Sequence, residues 1–238
     1  SGRGTSNTFI ELLNLVPAEA ASAEAGNNAP LYFTLIDYAA YYKENGIAKF
    51  NTIEELINQL EDKPREIMLN LPGTGDSFIT GYGPYAQNTT ITDKYVGYNV
   101  GDIDAEILFG TPPRESTAAI GRFDPEATKN ALSNQDEWPS EIKARYETME
   151  YDGVTIHSWG DGYQTNLTDG LTPPHLDVLG RARPLAVTDR YLFYAPSVSA
   201  MQVMIDASQD KTDSLADLPE FATIADGLSD LRVYQAMV

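Results

Sequence analysis

The spacing of apolar residues near the start of the chain predicts an amphipathic helix. Thr8 and Glu11 have capping-box spacing. Apolar residues then recur at helical intervals, in Phe9, Leu12, Leu13 and Val16. The helix should end before Pro17, and its apolar side should be buried, because an isolated helix of two turns is unstable in water.

A continuous apolar run over residues 31–36 predicts a strand. Asp37 follows it as the cap of a helix that ends at Gly46. Thr52 has a glutamate three residues later, which predicts a second capped helix from Ile53 onward.

The next part of the chain has weaker patterns. Alternating apolar residues over 67–71 predict a strand ended by Pro72 and Gly73, and residues 74–99 predict a long exposed connection. The segment 102–109 predicts a short helix closed by Gly110.

The stretch Ser116–Leu132 gives the clearest local prediction. Residues 118–123 form a short apolar run typical of a strand. Asp124 should then cap a helix with Pro125 at its first position, and Glu126 complements the positive helix end.

Further elements follow in the second half. A turn at 151–153 leads into an alternating strand, 154–159, and a polar loop covers 160–182. The last segments predict a hairpin over 185–194, helices opening at 196 and 214, and a strand over 231–238 that could begin a further unit.

This element order predicts an α+β fold, with a mostly antiparallel sheet backed by helices. From residue 118 onward the order β-α-β-β-β-α is close to a ferredoxin-like arrangement. We expect a flexible tether at 1–8, a helical or mixed subdomain at 9–110 and an α+β subdomain at 111–238. The alternative is one continuous domain over 9–238.

Charge narrows the possible partners. The formal net charge is −19, which repels phosphate backbones and anionic lipids, so we expect no nucleic-acid partner.

The absence of cysteine excludes disulfides, thiol catalysis and cysteine-bound zinc. The opening residues 1–7 are small and polar, as in a mature protein that follows a removed export signal or a lipid-bearing cysteine, with a cloning remnant as the alternative.

Five short segments, in this order, resemble a loose group of functionally uncharacterised bacterial extracytoplasmic proteins, often lipoproteins. The resemblance covers the chain from about residue 12 onward. It implies an envelope location, contact with the membrane only through an N-terminal anchor, and no site residues that can be carried over. The segments are 13–17, 97–113, 121–124, 151–154 and 214–217.

Candidate chemistry is sparse. His157, beside Ser158, lies in the polar phase of its strand, which suggests a surface histidine, and no nucleophile-elbow motif accompanies it. The loop from residue 160 to 180 offers oxygen ligands for calcium, although it lacks the EF-hand order. The candidate ligands are Asp161, Asp169 and Asp177.

Tyrosine is frequent, with 14 in the chain, and suits either protein or carbohydrate contact or the edge of a core. The leading hypothesis is a non-catalytic extracytoplasmic protein, lipid-anchored at its N-terminus, that contacts a protein partner in the envelope. It predicts no catalytic residue and no cofactor. The alternatives are a ligand- or calcium-binding module using residues 160–180 and, third, a hydrolase using acidic residues with His157.

Overall fold

Eight strands and eight α-helices lie in the part of the chain that the computed structural model describes, residues 7–21, 33–61, 63–69, 95–110, 115–133, 138, 140–160, 182–231 and 233–237. The strands are β1 (Phe33–Asp37), β2 (Ile103–Phe109), β3 (Ser116–Gly121), β4 (Glu147–Tyr151), β5 (Val154–Ser158), β6 (Leu185–Val187), β7 (Tyr191–Tyr194) and β8 (Gln235–Met237). The α-helices are α1 (Thr8–Leu13), α2 (Tyr38–Glu44), α3 (Ile53–Glu61), α4 (Arg65–Leu69), α5 (Pro125–Ser133), α6 (Ser140–Lys143), α7 (Val198–Ser208) and α8 (Pro219–Asp230).

All eight strands belong to one sheet, in the order β4-β5-β6-β7-β3-β2-β1-β8. Every neighbouring pair is antiparallel. Two meanders, β1-β2-β3 and β4-β5-β6-β7, meet where β3 pairs with β7, and β8 pairs with the far side of β1. The predicted α+β class with an antiparallel sheet and flanking helices is confirmed.

One side of the sheet, the first face, packs against α1, α7 and α8. The apolar residues predicted in α1 are buried there, because Phe9, Leu12, Leu13 and Val16 are at most 3% exposed. They pack with strand side chains such as Leu35, Ile107 and Phe193.

The opposite side, the second face, packs against α5 and α6 and is richer in large aromatic side chains. It holds Tyr38, Tyr98, Trp138, Trp159 and Tyr194 together with aliphatic residues of β1, β6 and β7. Four strand residues on this face are buried and polar: Thr34, Glu106, Thr117 and His157.

Side-chain caps define the helix starts. Asp124 Oδ1 accepts hydrogen bonds from the backbone N–H groups of Glu126 (3.0 Å) and Ala127 (3.2 Å), as predicted. Asp37 caps α2 in the predicted way, through the N–H of Ala40 at 2.8 Å. At α1 the cap is Asn7, one residue earlier than the predicted Thr8.

Two predicted elements are wrong in type. Residues 103–109 form β2 and no helix, because this strand pairs on both sides, with β1 and with β3. Apolar and polar residues alternate over Ile103–Ile107, which is a strand pattern, although Gly110 gives the segment an ending typical of a helix. The predicted strand over 67–71 contains instead the end of α4, which starts directly after Pro64, where proline favours a helix start. Leu71 lies outside the described residues.

The segment predicted as the start of a further unit contributes to this same sheet, since Gln235–Met237 pairs with β1 as β8. The strand β4 was not predicted at all. Of the expected tether, residues 1–6 lie outside the described part, and α1 begins at Thr8. In the described ranges, no helix combines the length and the apolar character needed to cross a bilayer.

Candidate functional site

The candidate calcium ligands Asp161, Asp169 and Asp177 lie outside the described residues. The described chain stops at Gly160 and resumes at Ala182. Elsewhere in the described part, no group of three or more His, Asp or Glu side chains is arranged to hold a metal ion. The calcium hypothesis stays a prediction.

His157 is described, and it is buried rather than exposed as predicted, with 2% of its surface accessible. The Tyr146 hydroxyl and the His157 Nδ1 atom are 2.8 Å apart, and the two rings stack at 6.0 Å and 6°. Burial lowers the pKa of His157 to about 4, so the ring is neutral near pH 7. The polar phase of the strand predicts a surface position for His157, but α5 and α6 cover the second face of the sheet.

His157 and Ser158 are adjacent in β5, but their side chains lie on opposite faces of the sheet. Successive side chains of a strand point to opposite faces of the sheet. His157 points to the second face, with Tyr146 and Trp159 beside it, whereas Ser158 points to the first. A nucleophile and its base must be within hydrogen-bond reach, so these neighbours cannot form a Ser–His catalytic pair.

A second buried polar group surrounds Tyr194. Its hydroxyl lies 2.5 Å from the hydroxyl of Tyr98, and both side chains are buried. The guanidinium of Arg183 lies over the Tyr194 ring at 6.0 Å and donates to the Glu115 carbonyl at 3.0 Å. Burial raises the pKa of Tyr98 well above its usual value and that of Tyr194 to about 12. Both phenols therefore stay protonated, as members of an internal network.

The tyrosines were predicted as either contact surface or core edge, and several belong to the core. Tyr38, Tyr41 and Tyr98 are at most 4% exposed, and Tyr42 and Tyr95 are partly buried. Tyr32, Tyr82 and Tyr85 lie outside the described residues.

The surface feature that stands out is the hairpin of β4 and β5. Asp152 and Gly153 join the strands with φ angles of 49° and 79°, the positive values that a type I′ turn requires. β4 pairs with β5 along all five of its residues and is the last strand on that side among the described residues. Four of these five residues are nevertheless exposed, and the fifth, Tyr151, is partly buried.

The end of α7 holds this hairpin in place. The Tyr151 hydroxyl donates to Asp206 Oδ2 at 2.9 Å, and Gln209 Nε2 donates to the Asp152 carbonyl at 3.2 Å. Lys211 Nζ lies 2.9 Å from Asp152 Oδ2. Three polar contacts at the turn therefore fix the orientation of a strand whose outer edge is exposed.

The turn also determines which backbone groups face outward. In a hairpin with a two-residue turn, the two residues that flank the turn form a hydrogen-bonded pair. Along the strands, hydrogen-bonded pairs then alternate with pairs that are not hydrogen-bonded. Tyr151 and Met149 are therefore bonded to β5, whereas Thr148 and Glu150 direct their N–H and C=O groups away from it. We call the outward-facing N–H and C=O groups of Thr148 and Glu150, together with the side chains of Glu147–Tyr151, the β4 edge.

No protein-family model, curated protein or solved structure matches this chain.

Proposed function

We propose that this protein is a non-catalytic binding protein that acts through protein–protein contact, with the β4 edge as its contact site. The observation that carries the proposal is an edge strand that is held rigidly but left open. Unpaired N–H and C=O groups at a sheet edge are a template for another strand. A rigid template also reduces the ordering cost of binding.

The β4 edge lacks several of the devices that close a sheet edge, and the charges that it carries are negative. Its sequence, ETMEY, contains neither proline nor lysine, and its pairing with β5 has no bulge. In the described part of the chain, β4 has a neighbouring strand on one side only. An extended segment of a partner could thus add to the sheet through the backbone groups of Thr148 and Glu150.

The charges of the β4 edge favour a basic partner. Glu147 and Glu150 flank Met149, whose side chain is 39% exposed. A second copy of this chain would bring the same two glutamates and a formal net charge of −19 to the contact. Electrostatic repulsion therefore disfavours self-association, while a segment with lysine or arginine is attracted.

The cellular setting is a further part of the proposal. We propose an extracytoplasmic protein tethered to the envelope by its N-terminus, on the strength of the sequence resemblance. Fractionation of cells that express the full gene would test it. A protein recovered wholly in the cytoplasm would contradict the location without affecting the β4 edge.

The test of the contact site uses a synthetic peptide of alternating lysine and valine as the probe. Its binding is followed through the backbone amide signals of β4 by NMR. We expect the signals of Thr148 and Glu150 to shift with the basic peptide and to stay unchanged with the matching glutamate–valine peptide. A basic peptide with N-methylated backbone amides should bind weakly, because it lacks the donors that strand addition needs.

Two proline variants form a matched pair. Thr148→Pro removes an outward donor, so it should abolish peptide binding with little change in melting temperature. Met149→Pro removes a donor bonded to β5 and should lower the melting temperature markedly. Equal peptide binding by Thr148→Pro and the parent protein would overturn the proposal, and so would concentration-dependent dimerisation blocked by the same variant.

A further inference from the structure

A second surface feature lies away from the β4 edge, on the part of the fold between α2 and the start of β2. A pocket of about 340 Å³ opens there, at the small end of the range for small-molecule sites. Three segments line it: the end of α2 with residues 47–50, the chain around Gly101–Asp104, and Arg122 after β3.

The lining of this pocket is cationic in a strongly acidic protein. Lys43, Lys49 and Arg122 contribute positive charges, and Asp104 is the one acidic residue among the lining residues. The chain as a whole has 35 acidic and 16 basic residues, so a local excess of cations opposes the general trend. Positive walls around a concave surface focus the field on an anion.

The two lysines make no close polar contact within the described residues, where neither Lys43 nor Lys49 has a side-chain hydrogen bond or a close ion pair. Lys49 interacts electrostatically with Asp104 at longer range. Arg122 is held by one contact, from Nη2 to Asp104 Oδ1 at 3.4 Å, and its side chain is still 56% exposed. The planar guanidinium keeps further donors that suit a carboxylate or a phosphate.

Apolar side chains lie between the charges. Tyr42, Ile47, Phe50 and Ile103 line the same pocket. In the wall of the pocket, the backbone at Gly101 approaches the backbone at Phe50 closely. A Cβ atom on Gly101 would lie 1.8 Å from the Phe50 carbonyl oxygen. This approach fixes the segment that carries Lys49 against the start of β2.

We infer that this pocket is a binding site for a small anionic molecule that carries a carboxylate or a phosphate group on an apolar body. The anionic group lies among Lys43, Lys49 and Arg122, and the apolar body packs on Tyr42 and the neighbouring wall. Neutral molecules of the same shape bind more weakly, because they bring no negative charge to the three cations.

A neighbouring pocket shows what distinguishes this one. That pocket, of about 290 Å³, shares Lys43, but Asp37 and Glu44 line it as well. The two carboxylates outnumber the single lysine there, so its lining disfavours an anion. The contrast assigns anion binding to the pocket with Lys49 and Arg122.

NMR titration of the full chain tests this inference, with benzoate and phenyl phosphate as probes and benzyl alcohol as the neutral control. We expect both anions to shift the amide signals of Lys49, Gly101 and Arg122. Tighter binding of benzoate identifies a carboxylate ligand, and tighter binding of phenyl phosphate identifies a phosphate ligand. Inorganic phosphate should bind more weakly than phenyl phosphate, because it lacks the apolar body.

Substitutions complete the test. Lys49→Gln and Arg122→Gln should each weaken binding about tenfold, since a charge-assisted hydrogen bond is lost. Lys129→Gln changes a cation on α5 outside the pocket and should leave binding unchanged. Asp104→Asn should tighten binding, because it removes the one competing carboxylate among the lining residues.

Melting curves of the variants establish that each is folded. The inference is overturned if benzyl alcohol binds as tightly as benzoate, or if neither anion shifts the pocket signals. It is also overturned if Lys129→Gln weakens binding as much as Lys49→Gln, because the attraction would then be unspecific. None of these results depends on the β4 edge, so the two proposals fail separately.

Discussion

The two faces of the sheet are both covered by helices, yet they bury different kinds of side chain. On the first face the buried strand residues are apolar, with Ser116 at the start of β3 as an exception. On the second face the buried strand residues include Glu106, Thr117 and His157, and the hydroxyls of Tyr98 and Tyr194 lie in the same layer.

This difference separates two sources of stability. Apolar burial is non-directional and insensitive to pH, so the first face depends mainly on packing and volume. Buried polar groups need partners and fixed protonation states, so the second face depends on specific hydrogen bonds and on pH. The same sheet should therefore respond to different perturbations on its two sides.

Removing volume from the first face should give the largest effect. Leu13 is 1% exposed and packs in the first-face core. Leu13→Ala should lower the free energy of unfolding by about 4 kcal/mol, through lost apolar burial and the cavity that remains. Chemical denaturation measures this change. A loss below about 1 kcal/mol would mean that α1 is not part of the core.

Acid should act on the second face through His157. Its pKa falls from 6.5 in the unfolded chain to about 4 in the folded protein. Between these values the unfolded chain binds a proton that the folded protein excludes, so the free energy of unfolding falls as the pH falls. Across the full range from pH 6.5 to about 4, the free energy of unfolding should fall by about 3 kcal/mol.

Denaturation curves across this window, for the parent protein and His157→Phe, measure the contribution of the histidine. The substitution should flatten the slope between pH 6.5 and about 4. An unchanged slope would assign the acid sensitivity to carboxylates alone and would contradict the contrast between the faces.

The tyrosine pair should show the effect of removing one hydrogen-bond partner. Tyr194→Phe leaves the buried Tyr98 hydroxyl without its partner and should cost about 2 kcal/mol. The double variant with Tyr98→Phe should recover part of this loss, because no buried hydroxyl is then left unpaired. Strictly additive losses would contradict a coupled pair.

The smallest expected effect concerns a cap on the helix layer of the second face. Asp124→Ala removes the acceptor for two backbone N–H groups at the start of α5. The free energy of unfolding should fall by about 1 kcal/mol. Asp124→Asn keeps an acceptor and should lose clearly less, and equal losses in the two variants would assign the effect to charge alone.

Local signals explain which elements the sequence predicts. The segment 118–133 combines an apolar run, an aspartate cap and a proline at the first helical position, and β3 and α5 form there. The hairpin of β6 and β7 was predicted within its observed bounds, because its turn is flanked by two short apolar runs. These signals act over a few residues and need no information about neighbours.

The features that the sequence does not predict depend on tertiary context. β2 is buried although it contains Asp104 and Glu106, and only its place between β1 and β3 decides for a strand over the short helix that Gly110 would close. The strand β4 is mostly exposed and its five residues give only a weak apolar alternation, so its pairing with β5 is what defines it. His157 follows the polar phase of its strand, but the aromatic layer of Trp138, Tyr146 and Trp159 covers it.

The two proposed sites could be predicted from the sequence only in part. The turn at Asp152 and Gly153 was visible, but the open edge depends on the order of the strands. The pocket combines Lys43, Lys49 and Arg122, which come from separate parts of the chain and meet only after β2 and β3 have paired. No local pattern marks such a set of residues.

The pairing of β1 with β8 sets a condition on folding during synthesis. It joins Thr34 to Met237, and Asn7 at the start of α1 bonds to the Ala225 carbonyl of α8. Such distant partners slow folding, because a long loop must close before its contacts form. As the ribosome releases the chain from its N-terminus, Phe9 and Leu12 lack their complete covering until residues near 225 emerge. Until then the segment that becomes α1 is an unfolded apolar stretch that chaperones can bind, because a helix of two turns is unstable on its own.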